Sequence, residues 1–351
     1  MMLGYLLAAM ISAFPAGVLA DRVGNRPVMV VALLTFAASG VATVLFPTAS
    51  ISLGLRLIQG ASFGAALSLS VTVLAASIPP ARQARAQSHR VVAMSATEAV
   101  LPLIAGFLVV GYDWRAAFLL AFLAVPVAIY CLFALPRDTY SSRTASDGAT
   151  GAAVAEVFTG RGLAIQLPGF IRFFLKFAGL TYFPLVADRA VGLDAAGIGA
   201  VISAASLMGI IAAASVPTVI SRFGFRAAFV ASVLLAAAPF LVVPVATTVV
   251  VFAAIVITAG VGDAAIGVLN HVVIARAAPA NARGAFIGLT STFVNSGKVA
   301  APAVVAAVAG ILTIGGALAL AGVLGLAALL STRVAVQVVR DPEAETPPQG
   351  T

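Results

Sequence analysis

Charge is scarce in this chain. Asp, Glu, Lys and Arg make up 9% of its 351 residues, against 62% hydrophobic residues and a mean hydropathy of +1.12. A soluble domain carries about 25% charged residues. With so few, the chain could not cover itself with water-compatible groups, and soluble enzymes and binding domains are excluded. Cysteine is scarcer still: the single Cys131 lies inside an apolar run and has no partner for an internal disulfide. No Ser–His–Asp set, metal-ligand cluster, phosphate-cradling loop or nucleotide-binding region is found, so no enzyme, metal or cofactor is expected. Asp263 and His271 lie eight residues apart on one predicted helix, about 12 Å along it and too far for direct cooperation.

What the chain does have is apolar runs of about 20 residues, the length that crosses roughly 30 Å of hydrocarbon as a helix. Eleven predicted spans run over 1–20, 28–46, 51–76, 89–110, 116–135, 163–187, 195–219, 227–246, 248–275, 284–308 and 312–332. The expected fold class is an all-α membrane protein, a helical bundle set in the lipid bilayer. The longest polar stretch, Pro136 to Gly162, is rich in Ser, Thr, Gly and Ala and reads as a linker between two halves. The expected division is an N-terminal half over 1–136, a cytoplasmic linker over 137–162, a six-span C-terminal half over 163–332 and a tail over 333–351. The tail's DPEAETPPQGT ending is expected to be disordered. No cleavable signal peptide is visible, because Met1 to Ala20 has neither a basic start nor a polar break.

A net charge of +8 and a pI near 10.5 would suggest nucleic acid for a soluble protein. Here the excess of Lys and Arg in cytoplasmic loops is the better account, and no nucleic-acid partner is expected. Of 20 Lys and Arg, 15 fall on one predicted side, two (Arg115 and Arg189) on the other, and Arg56, Lys176 and Lys298 within spans. The 15 include Arg172, which suits a side chain snorkelling from a helix end. The bias predicts a multi-pass protein of the cell membrane with its C-terminus in the cytoplasm and, for eleven spans, its N-terminus outside.

A shift of 200 positions superimposes Arg22 on Arg222, Gly24 on Gly224, Arg26 on Arg226, Gly60 on Gly260, Pro79 on Pro279 and Pro102 on Pro302. Residues 1–136 thus recur as 201–336 in the same orientation, the parallel-repeat arrangement found in transporters. The mate of the span at 163–187 would precede Met1. The first half is therefore expected to lack its first helix, with a mis-set start codon as the favoured cause.

The loop GVLADRVGNRP (Gly17, Asp21, Arg22, Gly24, Arg26) resembles the G-x-x-x-D-R-x-G-R loop of the major facilitator superfamily. PTVISRFGFR, with Arg222, Gly224 and Arg226, is its degenerate second copy, in which Ser221 replaces the acid and Pro217 the glycine. Arg56-x-x-Gln59-Gly60, followed by Gly64, is similar to the R-x-x-Q-G element of that family's proton-coupled members. VLPLIAG (Val100 to Gly106) with Trp114-Arg115-x-x-Phe118 downstream resembles the drug-antiporter pattern, although Leu101 and Ala105 stand where two glycines are usual. The resemblance implies a twelve-span drug–proton antiporter type of bundle with two pseudo-symmetric halves. It also implies that Asp21 latches against the helix beginning near Gly284, with Gly17 and Gly24 allowing close packing, and that Arg56 modulates proton access.

An ionised group within the hydrocarbon costs at least about 2.5–3.5 kcal/mol, so it rarely persists without a partner or a task. Six candidates fall within spans: Arg56, Glu98, Lys176, Asp263, His271 and Lys298. Surface positions take Arg, and the only two lysines both lie in spans, where a lysine can lose its proton and an arginine cannot. Helical spacing groups Asp263, Gly267 and Asn270, with His271 beside them; Ser291, Asn295, Lys298 and Pro302; Ser95, Glu98 and Pro102; and Ser52, Arg56, Gln59 and Phe63. Polar faces avoid lipid, so all four are expected to line one central cavity.

Depth predicts a partner for one of these groups. Asp263 lies 16 residues before the loop centred near Pro279 and Lys298 lies 19 after it. An Asp263–Lys298 ion pair is expected on that basis. Glu98 and Lys298 are repeat mates of opposite charge. His271 is read as a satisfied packing residue. Gly60, Gly64 and the glycines from Gly315 to Gly325 are read as small-residue helix contacts. Phe63, Phe170, Phe173, Phe174, Phe177 and Tyr182 offer an aromatic wall for a lipophilic substrate, with core or lipid contact the expected role of most of them.

Together these features imply proton-coupled efflux of a lipophilic drug-like or metabolite substrate, with Glu98 or Asp263 exchanging protons. The substrate and proton candidates are Arg56, Gln59, Glu98, Lys176, Asp263, Asn270, Asn295 and Lys298. One alternative is a carrier for a small organic anion or sugar-type solute, attracted by Lys176 and Lys298. A non-transport alternative is an inactive truncated fragment. A monomer is expected.

Overall fold

The computed structural model describes residues 2–46, 48–77, 80–135, 157–277 and 283–340. Among the described residues there is no strand, and eleven α-helices carry the fold. The side chains of residues 13, 14, 18, 21, 22, 71, 72, 74–77, 80–92, 95, 275, 283–289, 291 and 292 lie outside the description. So do most of the expected linker, residues 137–156, and the tail from 341 onward.

The helices are α1 (Met2–Val23), α2 (Asn25–Leu45), α3 (Ala49–Ser77), α4 (Pro80–Gly111), α5 (Ala124–Ala134), α6 (Gly160–Val186), α7 (Ala195–Val242), α8 (Val249–Ala277), α9 (Arg283–Ala309), α10 (Ile314–Leu326) and α11 (Thr332–Arg340). A 3₁₀ stretch, Trp114–Leu123, leads into α5, so the span expected over 116–135 is wound more tightly in its first half. α7 holds two of the expected spans, separated at Gly224 by a break in helical geometry. Among the described residues six helical stretches are long and apolar enough to cross a membrane: Asn25–Leu45, Trp114–Ala134, Gly160–Val191, Ala195–Val245, Val249–Ile274 and Ile314–Arg340. Alanine and leucine, both strong helix formers, supply much of each run. Side-chain caps set two of the starts: the Gly162 N–H donates to Thr159 Oγ1 ahead of α6, and the Gly316 N–H to Thr313 Oγ1 ahead of α10.

Residues divide into two compact units. The first comprises Met1–Arg143 with Asp194–Ser203, and the second Thr144–Leu193 with Ala204–Thr351. In the first unit α3 packs against α1 and α2. The α1–α3 contact depends on missing side chains, because a Cβ on Gly60 would lie 2.1 Å from the Tyr5 carbonyl oxygen and one on Gly64 2.0 Å from that of Ala9. Ser12 Oγ donates to the Ala61 carbonyl at 2.7 Å across the same seam. Gly106 and Gly199 do the same where α4 meets the start of α7: their Cβ positions fall 2.4 Å from the Ala195 oxygen and 2.3 Å from the Pro102 oxygen.

The second unit repeats this seam. A Cβ on Gly260 of α8 would meet the Ala205 oxygen of α7 at 3.0 Å, and one on Gly209 the Ala264 Cβ at 3.3 Å. These are the Gly60–Tyr5 and Gly64–Ala9 contacts moved by 200 positions. The short turns repeat as well. Gly24 has φ 94, ψ 151 and Gly224 has φ 80, ψ 160, a region open in practice only to glycine. The unit's core is apolar and aromatic: the Phe183 ring sits 5.0 Å from that of Phe240 and 6.1 Å from that of Phe252. α6 packs against both α8 and α9. That placement decides the site.

Candidate functional site: an ion cluster on α6 and α8

Arg172 lies twelve residues into α6 from Gly160, roughly 18 Å along the helix. Its Nε donates to Asp263 Oδ1 at 2.8 Å and to the Asp263 backbone oxygen at 3.0 Å, and its Nη2 donates to Oδ2 at 3.4 Å. One helical turn on, Lys176 Nζ stands 3.6 Å from the same Oδ2. The guanidinium can reach the α8 backbone because residue 267 is glycine, where a Cβ would sit 2.7 Å from Arg172 Cζ. His271, exposed on α8, donates from Nδ1–H to the Gly267 carbonyl at 2.6 Å, so its hydrogen bond is satisfied without the side chain being packed in a core. The three charged side chains remain 17–19% exposed, so the cluster is only partly buried.

The expected Asp263–Lys298 pair is corrected here. Asp263 is held by Arg172 and Lys176, whereas Lys298 Nζ lies over the Phe173 ring, 4.4 Å from its centroid, and 5.6 Å from that of Phe177. The depth reading assumed that α8 and α9, consecutive in sequence, face each other. Among the described residues each packs instead on α6, so α6 offers its cations to one and its rings to the other. Arg172 is the functional candidate that sequence reasoning placed at the cytoplasmic edge. Two signals pointed elsewhere: its depth in α6, and its i, i+4 spacing to Lys176 on the stripe that also carries Phe173 and Phe177.

The rest of that face is graded. Phe170, Phe173 and Phe177 are partly exposed, whereas Phe174 is buried. Phe170 pairs with Phe293 at 5.9 Å, and the Tyr182 hydroxyl donates to the Pro302 carbonyl at 2.8 Å. Nearer the start of α6, buried Gln166 donates from Nε2 to Thr290 Oγ1 at 2.9 Å. Asn270 is buried where a Cβ on Gly169 would meet its Nδ2 at 2.6 Å. Gln166 Oε1 and Asn270 Oδ1 have no hydrogen-bond partner among the described residues. Asn295 is partly buried on α9.

In the first unit Arg56 Nη1 donates to Gln59 Oε1 at 2.9 Å, and the guanidinium lies 4.4 Å from the Phe118 ring centroid and 5.8 Å from that of Tyr5. The R-x-x-Q-G and W-R-x-x-F elements therefore meet in one contact. Gln59 and Ser52 are buried, while Glu98 is exposed on α4. Of the loop glycines, a Cβ added at Gly17 would meet nothing within 4 Å, so close packing is not what requires it, and Gly24 is required by its positive φ. The Asp21 and Arg22 side chains and those around Gly284 lie outside the described residues, and with them the expected latch. Arg222 and Arg226 lie on either side of Gly224, and both are exposed.

Repeated helical units with ionised groups among their spans define a multi-pass membrane protein built by duplication. The chain belongs to the Major Facilitator Superfamily, whose family pattern matches residues 1–302; members of that family are transporters. It is 34% identical over 132 residues to a tetracenomycin C resistance and export protein of Streptomyces glaucescens, covering 37% of this chain and 24% of that one. It is 30% identical over 128 residues to a putative niacin/nicotinamide transporter of Bacillus subtilis, covering 35% and 31% respectively. It is 27% identical over 198 residues to a multidrug resistance protein B homolog of Mycobacterium tuberculosis, covering 55% and 34%. The matched part thus spans about a quarter to a third of the length of these relatives.

Proposed function

We propose that the chain is a secondary active transporter of the cell membrane, with its C-terminus in the cytoplasm, that exports lipophilic drug-like or metabolite molecules in exchange for protons. Alternating access between the two repeats would carry the substrate. The observation that carries this reading is the Arg172–Asp263–Lys176 cluster. Ionised groups are kept within the spans at a cost of several kcal/mol and left partly accessible, which suits a substrate and ion pathway better than a structural tie. The names of two relatives, resistance with export and multidrug resistance, support the outward direction.

Within this reading the two carboxylates differ. Asp263 is already balanced by two cations and keeps them in place, while Glu98, exposed on α4, is the group that exchanges protons. The test is proton movement in inside-out vesicles, followed with a pH-sensitive dye as lipophilic cations and organic acids are added. Substrate-evoked proton release is expected from the native chain and is expected to be lost in Glu98→Gln. Release that persists in both Glu98→Gln and Asp263→Asn would overturn proton coupling through these residues.

A further inference from the structure

Arg56 lies seven residues into α3 from Ala49, roughly 10 Å along the helix. A guanidinium within a span is costly unless an opposite charge accompanies it. Among the described residues no carboxylate pairs with Arg56. Its Nη1 donates to Gln59 Oε1 at 2.9 Å, and the rings of Phe118 and Tyr5 have their centroids 4.4 and 5.8 Å from Cζ. Asp113, which precedes the Phe118 segment, pairs instead with Arg115 at 3.3 Å. Ring faces attract cations, but they do not neutralise them. Arginine has five N–H donors, so the bond to Gln59 leaves most of them unused.

Two hydroxyls stand beside it. Ser52 precedes Arg56 by one turn on the same face of α3; it is 4% exposed, and its Oγ has no hydrogen-bond partner among the described residues. The Tyr5 hydroxyl makes no hydrogen bond among them either. Tyr5 is held to α3 from α1, because a Cβ on Gly60, one turn past Arg56, would fall 2.1 Å from the Tyr5 carbonyl oxygen, and its ring pairs with that of Phe63 at 5.7 Å. The cluster thus offers a fixed positive charge and two hydroxyl donors. A cationic ligand would add to the charge, and a neutral one would leave it unbalanced. An oxyanion answers both needs: it supplies the missing charge and accepts from the guanidinium edge and from the hydroxyls. An apolar body attached to it would find the partly exposed Tyr5 ring and the exposed Phe63 ring.

We propose that Arg56, Ser52 and Tyr5 form an oxyanion-binding site within the first unit, which takes the carboxylate or phosphate group of a ligand whose apolar body packs on Tyr5 and Phe63. Gln59 and Phe118 are positioning residues. They fix the guanidinium before the ligand arrives, so little side-chain freedom is lost on binding. The site belongs to the first unit alone, and it stands or falls separately from proton-coupled export.

The experiment uses the full chain purified in dodecyl maltoside, an uncharged detergent, and three probes that share one ring system: 1-naphthoate, neutral 1-naphthamide and cationic 1-naphthylmethylammonium. Equilibrium dialysis is expected to rank naphthoate about tenfold tighter than either of the others, the scale of one charge-assisted hydrogen bond. Arg56→Gln is expected to remove that preference. Ser52→Ala and Tyr5→Phe keep the packing and are each expected to weaken naphthoate about fivefold. Ser52→Ala is also expected to melt no earlier than the native chain, since it deletes a hydroxyl that has no partner; a structural tie would give the reverse. Equal affinities, a preference for the ammonium probe, no binding of any probe, or an unchanged preference in Arg56→Gln would overturn the site. Native naphthoate affinity in both Ser52→Ala and Tyr5→Phe would overturn the assignment of the hydroxyls. The source of the oxyanion is read from two further arms. Displacement of naphthoate by added dioleoylphosphatidylglycerol would identify a lipid headgroup as the occupant, and movement of naphthoate across vesicles, lost in Arg56→Gln, would identify a transported acid; either result supports the site.

Discussion

Arg172 and Asp263, 91 residues apart, meet side-on, Nε to Oδ1 at 2.8 Å, with the same Nε also reaching the Asp263 backbone oxygen at 3.0 Å. The guanidinium is therefore fixed to the helix backbone as well as to a carboxylate. Lys176 approaches the second carboxylate oxygen from the next turn of α6. The arrangement is asymmetric: one anion serves two cations.

That asymmetry predicts unequal costs for the single variants. Asp263→Asn strands two cations among the spans and is expected to destabilise the second unit by about 3 kcal/mol, the low end for breaking a buried pair because the groups keep some exposure. Arg172→Gln leaves Asp263 with Lys176 and is expected to cost less. The Arg172→Gln/Asp263→Asn double variant should fall between the two. Thermal unfolding in detergent measures all three, and equal losses for the two single variants would contradict the geometry.

Gly267→Ala separates function from folding. The new Cβ would lie 2.7 Å from Arg172 Cζ, the end of a flexible side chain that can swing away. Alanine is the better helix former by about 1 kcal/mol. The expected result is a chain that unfolds no earlier than the native one but loses about tenfold in substrate affinity as Arg172 leaves Asp263. A variant with native binding would show that the Arg172 position does not matter to the site.

Gly24→Ala and Gly224→Ala test the repeated turn. Both positions have positive φ with extended ψ, where a side chain costs about 1–3 kcal/mol. At position 224 the new Cβ would touch no other atom within 4 Å, so there the whole loss is backbone strain. Similar losses in melting temperature are expected for the two, and Gly17→Ala, which is not at positive φ and has open space around it, should be close to neutral.

Gly64→Ala and Gly60→Ala press on backbone rather than on a flexible side chain, at 2.0 and 2.1 Å. Overpacking of this sort costs about 1–3 kcal/mol, and each variant is expected to lower both the melting temperature and the yield of folded protein. The repeat mate at position 260 has more room, with its nearest contact at 3.0 Å, so Gly260→Ala should be milder.

Arg56→Lys retains the charge but not the fork or the flat face. The bond to Gln59 and the stacking on Phe118 both use the guanidinium shape. Substrate-evoked proton movement is expected to drop about tenfold or more in this variant, and to drop likewise in Gln59→Leu. Native rates in Arg56→Lys would mean that only the charge is used.

Several features of the fold were legible in the residues because they depend on local rules. Apolar run length set the helices, and Gly24 with Gly224 stood out as repeat mates, although the positive φ that requires glycine at both was not legible. Gly60 and Gly64 marked a close helix contact, and the structure repeats it at Gly260 and Gly209. The ion cluster was legible only in part. Asp263 and Lys176 stood out as ionised groups in apolar runs, but Arg172 was hidden among the arginines of the positive side, and depth alone pointed Asp263 to the wrong partner.

The sequence by itself determined what lies in the membrane and how deep: helix rise is constant, so position along the chain converts directly into depth. Only the tertiary structure decided which groups at one depth touch. Three helices, α6, α8 and α9, pack laterally through contacts that no spacing rule encodes, and α6 takes the place between the charges of its two neighbours. Asp263 therefore meets Arg172 and Lys176, and Lys298 meets two phenylalanine rings.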